Sequence, residues 1–189
     1  MPNKGKMPNV TKAQDLLEYL KTEKTFSIKA PIDVENIVNC LGVKLEYYFD
    51  FESETVGSIT RSGSDYVIKI NEIHNHYEPR KRFTIAHELG HLFLHLNGVD
   101  GVSFDDTEKT MSRTESYWDI KESQANSFAA QLLMPKKLIV GKGKELLTEL
   151  QKKGKTITAD EFVEAMSTIF NVSSPAMRYR LITLKILKK

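Results

Sequence analysis

Apolar residues recur along this chain with two periods, and the changes of period mark its elements. Over residues 13–24, Leu16, Leu17 and Leu20 fall on one side of a helix. Pro31-Ile32-Asp33 opens a second helix that runs to Leu41 and is closed by Gly42. From Val43 to Tyr48 the pattern alternates as in a strand. Gly57 to Arg61 and Tyr66 to Ile70 form a predicted hairpin, turned at residues 62–65. The helical period then returns. Glu78-Pro79 is a start signal and Asn97-Gly98 a stop. Between them Phe83, Ile85, Ala86, Leu89, Leu92, Phe93, Leu94 and Leu96 cover nearly every face, as in a buried helix. Residues 100–116 are polar and weakly patterned, a flap over a site or a passive surface loop. Residues 117–135 read as another buried helix, with Ala125, Phe128, Ala129, Leu132 and Leu133 in a stripe and Pro135 at its end.

A Lys/Gly-rich stretch, residues 136–155, leads into two short helices. Phe162, Met166 and Phe170 mark one, and Met177, Leu181, Leu184 and Leu187 the other, joined by the turn Asn171-Val172-Ser173-Ser174-Pro175. These elements predict an α+β fold: a small antiparallel sheet packed on a buried helix in a core spanning residues 1–135. Residues 136–189 form a basic helical appendage packed on that core. No internal repeat is present.

The buried helix carries His87-Glu88-Leu89-Gly90-His91. Two His at i and i+4 project from one helix face with Cβ atoms about 5–6 Å apart. Both imidazoles then reach one zinc at roughly 2.0–2.1 Å. A Glu after the first His is placed to take a proton from water at that ion, the logic of a zinc hydrolase. Unpaired polar groups inside a buried helix are costly, and a metal satisfies all three. The plainer alternative is a pair of hydrogen-bonded core histidines.

The third ligand is expected at Glu122, which shares the apolar stripe of the second buried helix. An ion pair with an Arg or Lys is the other reading of that carboxylate. Asn126, one turn on, is placed to hold a ligating His by an outer hydrogen bond. Two His and one carboxylate leave a fourth zinc position open for water. His95 continues the His87, His91 series but is about 12 Å from His87 along a straight helix, too far to share its metal. It reads as an outer-shell or core histidine. His74, His76 and Tyr117 are weak candidates for steadying an oxyanion, and none is singled out.

Two blocks resemble a known family. Arg82-Phe83-Thr84-Ile85-Ala86-His87-Glu88-Leu89-Gly90-His91 with Leu92-Phe93-Leu94-His95, and Glu122-Ser123-Gln124-Ala125-Asn126-Ser127-Phe128-Ala129-Ala130-Gln131-Leu132-Leu133-Met134-Pro135, resemble the signatures of the ImmA/IrrE metallopeptidases in order and spacing. The likeness extends more weakly from about Ala30 and again over Phe162 to Leu184. It implies a zincin-like fold, zinc on His87, His91 and Glu122, and Glu88 as catalytic base. It also implies a protein substrate of the helix-turn-helix repressor class, from a phage, mobile element or stress regulon. Gln124 departs from the family, where many members carry a second Glu, and this leaves Glu122 without a rival. The residues keep a second function open: an antirepressor that binds a repressor without cutting it, its zinc structural.

Composition narrows the setting. The 189 residues hold one cysteine, Cys40, so an intrachain disulfide framework is excluded. No apolar run approaches the roughly 18 residues of a membrane span. Residues 1–11 are polar and lack the apolar stretch of a secretory signal, and a cytoplasmic protein is expected. Charge is uneven. Residues 1–135 carry 15 Lys+Arg against 20 Asp+Glu, and residues 136–189 carry 12 against 5. With Arg178 and Arg180, the helical pair over 159–187 has the outline of a helix-turn-helix. A solvated basic surface on a packed appendage is preferred over direct nucleic-acid binding.

Overall fold

The computed structural model describes residues 7–63, 65–96, 103–107 and 120–188. Helix α1 (Ala13–Glu23) buries Ala13, Leu16, Leu17 and Leu20. Asp15 Oδ2 accepts from the Thr11 and Lys12 N–H groups at 3.2 and 3.1 Å, covering amides that the first turn leaves unpaired. Helix α2 (Val34–Leu41) is capped by Asp33, whose Oδ1 accepts from the Asn36 N–H at 3.0 Å. It ends at Gly42 with φ +70°, a left-handed conformation that favours glycine.

Four strands follow: β1 (Lys44–Tyr48), β2 (Thr55–Ser62), β3 (Asp65–Asn71) and β4 (Ser103–Thr107). The sheet order is β1-β3-β2-β4. β2 pairs antiparallel with β3, with Ile59 opposite Ile68, and with β4 on its other side. β1 runs parallel to β3, with Leu45 opposite Ile68. The expected all-antiparallel sheet is therefore a mixed one. The reason is that β3 inserts between β1 and β2: the short link over residues 49–54 reverses the chain, the β2–β3 hairpin reverses it again, and β3 therefore runs parallel to β1. β4, formed inside the segment read as polar loop, takes the other edge of β2.

The helical layer is built around α3 (Glu78–His91), with Pro79 in its first turn. Every residue from Thr84 to His91 is buried. The helix continues as a π-helical turn over Leu92–Leu96, a wider winding that is frequent at functional sites. The stop read at Asn97-Gly98 lies outside the described residues. Helix α4 (Ile120–Leu133) crosses α3 at its glycine. A Cβ on Gly90 would lie 2.9 Å from Ala125 Cα and 3.1 Å from Ala125 O. Only glycine lets the two backbones come this close.

The Lys/Gly-rich stretch is a continuous helix, α5 (Lys136–Lys152), in which Ile139 and Gly143 are buried. A Cβ on Gly143 would press the Phe162 ring at 3.2 Å, so the glycine serves helix packing rather than a break. Helix α6 (Ala159–Phe170) starts in a capping box of Thr158 and Glu161, and α7 (Ser174–Thr183) is capped by Ser173. Val163, Met166, Phe170, Met177 and Leu181 join the same apolar core as the N-terminal helices and the sheet. Two arginines, Arg82 buried and Arg180 half-buried, tie the layers. Arg82 donates to Ile32 O at 2.7 Å and to Asn171 O at 3.2 Å. Arg180 Nε donates to Met134 O at 3.1 Å.

Candidate metal centre

Four side chains from three elements converge: His87 and His91 of α3, Glu122 of α4 and Asp106 of β4. One donor atom from each lies within 4.8 Å of all the others, and all four residues are buried. His87 Nε2 and His91 Nε2 are 2.9 Å apart. Glu122 lies 3.2 Å from each imidazole, through Oε2 to His87 and Oε1 to His91. Asp106 Oδ2 lies 3.1 Å from His87 Nε2 and 3.5 Å from His91 Nε2.

These contacts are short, yet Asp106 Oδ2 and Glu122 Oε2 find no hydrogen-bond partner among the described residues. Their lone pairs share a centre rather than a proton on one neighbour. Burying such oxygens unsatisfied costs several kcal/mol each, so the cluster calls for a cation. The titration behaviour agrees. Burial would lower the His87 pKa, but the Asp106 and Glu122 carboxylates outweigh it and hold it up to about 9. Burial would raise Glu122, but His87 and His91 pull its carboxyl far below the ordinary range. A divalent ion would supply the same positive charge with both imidazoles neutral, and its donor set of two nitrogens and carboxylate oxygen suits zinc.

The outer partners set the imidazole tautomers. Asn126 Oδ1 accepts from His87 Nδ1 at 3.0 Å, which leaves the Nε2 lone pair toward the centre. His91 is held by a longer chain. His95 Nε2 donates to Gln124 Oε1 at 2.9 Å, so His95 Nδ1 is the acceptor for His91 Nδ1–H at 3.1 Å. His91 Nε2 is then free of a proton. The chain requires a neutral His95. Burial, then the neighbouring His91 and Lys121, lower its pKa and outweigh the opposing contact with Gln124. A Glu at position 124 would instead favour a charged His95 with two donors, in conflict with His91 Nδ1–H. Gln124 thus fits the tautomers this site needs.

Glu88 stands beside the cluster, wholly buried, with both carboxyl oxygens unpartnered among the described residues. Burial first, then the Asp106 and Glu122 carboxylates, push its pKa well above the usual range. The space for it comes from Gly57 in β2. A Cβ there would lie 2.7 Å from Glu88 Oε1 and 2.5 Å from Thr84 Cγ2. A bulge in β2 between Thr55 and Gly57 brings the strand to this position. The bulge is pinned by Asn75, which donates to Val56 O at 2.8 Å and accepts from the Thr84 hydroxyl at 2.7 Å.

The structure thus brings together His87, His91 and Glu122 and sets Glu88 at their side. It places His74 elsewhere, with Nε2 against Ser53 O at 2.9 Å, and His76 at the surface. Tyr117 lies outside the described residues, as do all but residues 103–107 of the 100–116 segment. Sequence reasoning missed Asp106. Its one trace was Phe104 two positions before an acid in an otherwise polar run. In the fold these two share a face of β4, and the Phe104 ring stacks on His91 with centroids 4.4 Å apart. Gly57, Asn75 and Thr84 were missed too, because no periodicity marks a glycine or a polar pair that spaces two layers.

Comparison with known proteins identifies the family. A family model for the IrrE N-terminal-like domain, of the M78 peptidases, matches residues 39–181. A curated relative, metallopeptidase ImmA of Bacillus subtilis (strain 168), is 32% identical over 123 residues. That match covers 64% of this chain and 58% of the relative, so the chain aligns with little more than half of that protein's length. The matched span of the family model contains the buried His pair, Glu88, Asp106 and Glu122, and the chain belongs to the IrrE N-terminal-like domain family.

Proposed function

We propose that this chain is a zinc-dependent endopeptidase that acts in the cytoplasm on a helix-turn-helix transcriptional repressor. Zinc is held by His87, His91 and Glu122, and Glu88 is the base. The family and the metallopeptidase relative support peptide-bond hydrolysis. The repressor as substrate rests on the family resemblance of the two motif blocks. Among the described residues no helix is long and apolar enough to cross a membrane.

The observation that carries this reading is the Glu88 carboxyl, buried and unpartnered beside the metal-binding donors. A pure packing role does not account for a carboxyl kept dry at the cost of several kcal/mol. Held by His87, His91 and Glu122, such an ion would supply Lewis-acid polarisation of a carbonyl and lower the pKa of a nearby water. Glu88 receives the proton of that water and delivers it to the leaving amine. Asn126 and the His95–Gln124 chain keep the two imidazoles turned toward the ion.

A second reading, an antirepressor that binds without cutting, draws on Asp106. Zinc sites with four protein donors are commonly structural. Direct nucleic-acid binding by residues 159–187 finds less support. Arg178 is paired with Asp160, and Arg180 is half-spent on the Met134 carbonyl.

The test is capture from host lysate on a Glu88→Gln variant, followed by intact-mass analysis with and without wild-type protein. The expected result is a helix-turn-helix protein that Glu88→Gln leaves whole and wild type splits in two, with cleavage by the variant slower by at least about 10²-fold. A variant that cuts at the wild-type rate removes Glu88 from its role. A partner captured and never cut moves the function to the binding reading.

A further inference from the structure

We propose that Asp106 is a fourth protein ligand of the metal, carried on the edge strand β4, so that the resting centre is closed until that strand yields. This rests on the metal-binding reading given above. The distances support it. Four donors around a zinc at roughly 2.0–2.2 Å stand about 3.3–3.6 Å apart when tetrahedral. The Asp106 contacts with His87 and His91 are 3.1 and 3.5 Å, alongside the two Glu122 contacts of 3.2 Å. Asp106 is as close to the tetrahedral spacing as the third ligand is.

Its surroundings separate it from a passing counter-ion. Asp106 is 2% exposed, and its Oδ2 has no hydrogen-bond partner among the described residues. The adjacent Asp105 points out and is exposed. Asp106 therefore faces the imidazoles through the strand's alternation, in register with Gly57, the residue that makes room for Glu88. Stacking of Phe104 on His91 holds the same strand face against α3.

The other three donors are fixed differently. His87, His91 and Glu122 come from two helices locked together at Gly90 and Ala125. Among the described residues β4 is a five-residue strand at the sheet's edge paired with β2 alone, and the β2 bulge interrupts that pairing beside Asp106. A carboxylate on such a strand is the donor best placed to leave. A polypeptide that displaced or re-paired β4 would free one position on the metal beside Glu88, with no change in the helical donors. The closed site is then a latent state of the enzyme.

The experiment uses the full chain loaded with cobalt(II), with azide as an exogenous ligand followed by visible absorption. Wild type is expected to show a spectrum that azide does not change. Asp106→Ala should bind azide and lose metal affinity by roughly tenfold or more, at least as much as loss of an outer-shell partner. Asp106→Asn, which keeps the side-chain shape, should shift in the same direction and guards against a folding defect in the alanine variant. Azide binding to wild type as readily as to the variants, or metal affinity identical in all three, overturns the proposal. If neither variant folds, azide binding to wild type alone still overturns it. Failure of the underlying reading looks different: wild type would take up no stoichiometric metal, or His91→Ala would take it up equally well.

Discussion

The two sides of the centre are built to different tolerances. On the helical side, α3 and α4 approach until a single Cβ would collide with backbone, and each imidazole has its own outer hydrogen bond. On the sheet side, Asp106 sits on a short edge strand next to a bulge, and Glu88 occupies a space defined only by a missing side chain on Gly57. On the reading proposed above, the helical side carries the three fixed donors and the base, and the sheet side makes room for Glu88 and carries the donor that can leave. A hydrolase needs both: fixed ligands to hold the ion, and a yielding wall through which substrate enters.

The largest break in this comparison is Gly90→Val on the helical side. Its Cβ would meet Ala125 Cα at 2.9 Å, and backbone cannot turn aside as a side chain can. The gain of a few tenths of a kcal/mol expected from replacing a helical glycine by valine is overrun by the clash. Separation of α3 from α4 should cost about 3 kcal/mol and carry Glu122 away from the imidazoles. Thermal unfolding and zinc titration should report both losses together. Normal metal affinity in a destabilised Gly90→Val would show that α4 does not set the ligand spacing.

Gly57→Ala makes the opposite cut, on the sheet side. The new methyl would lie 2.7 Å from Glu88 Oε1, and Thr84 blocks the other direction at 2.5 Å. Glu88 should move while His87, His91 and Glu122 stay. Turnover should fall by about 10²-fold, the usual consequence of misplacing a reacting group, with zinc content unchanged. Loss of zinc in this variant would tie the two sides together more closely than the structure places them.

The same contrast explains what the sequence made legible. Helices α3 and α4 stand out because a 3.6-residue apolar pattern fills whole turns, and a charged residue on such a face is conspicuous. Glu122 is found that way, and His87 and His91 by their spacing. β4 offers five residues with one large apolar side chain, too little for a period of two. Asp106 was therefore hidden, and with it the pairing of β4 on β2. The Lys/Gly-rich stretch was given no helix of its own, because packing on α6, which turns Gly143 into a contact, is a tertiary fact. Gly57, Asn75 and Thr84 act only through the distance between layers, which no local pattern encodes.

Smaller effects should follow from the outer hydrogen bonds. His95→Ala removes the acceptor that keeps His91 in its metal-ready tautomer, and Gln124→Glu invites the wrong protonation of His95. Each should weaken zinc binding by roughly 10–100-fold without unfolding the protein. His95→Gln, which can restore an acceptor, should recover part of the loss. Equal affinity in all these variants would mean that His91 needs no orienting partner.

The smallest expected effect probes the yielding wall itself. Lys121 in α4 lies over the Phe104 ring of β4, its ammonium 5.2 Å from the ring centroid. Such a contact at an exposed position contributes about 0.5–1 kcal/mol. It joins the two sides of the centre. Lys121→Ala should therefore speed amide hydrogen exchange in β4 by a few-fold, while exchange in the buried turns of α3 and α4 stays unchanged, because local opening of an edge strand needs far less free energy than opening the core. Zinc affinity should hardly move, since His87, His91 and Glu122 keep their outer partners. If exchange in β4 and α3 rose together, the strand and the motif helix would open as one unit, and Asp106 could not leave the metal without the helical ligands leaving too.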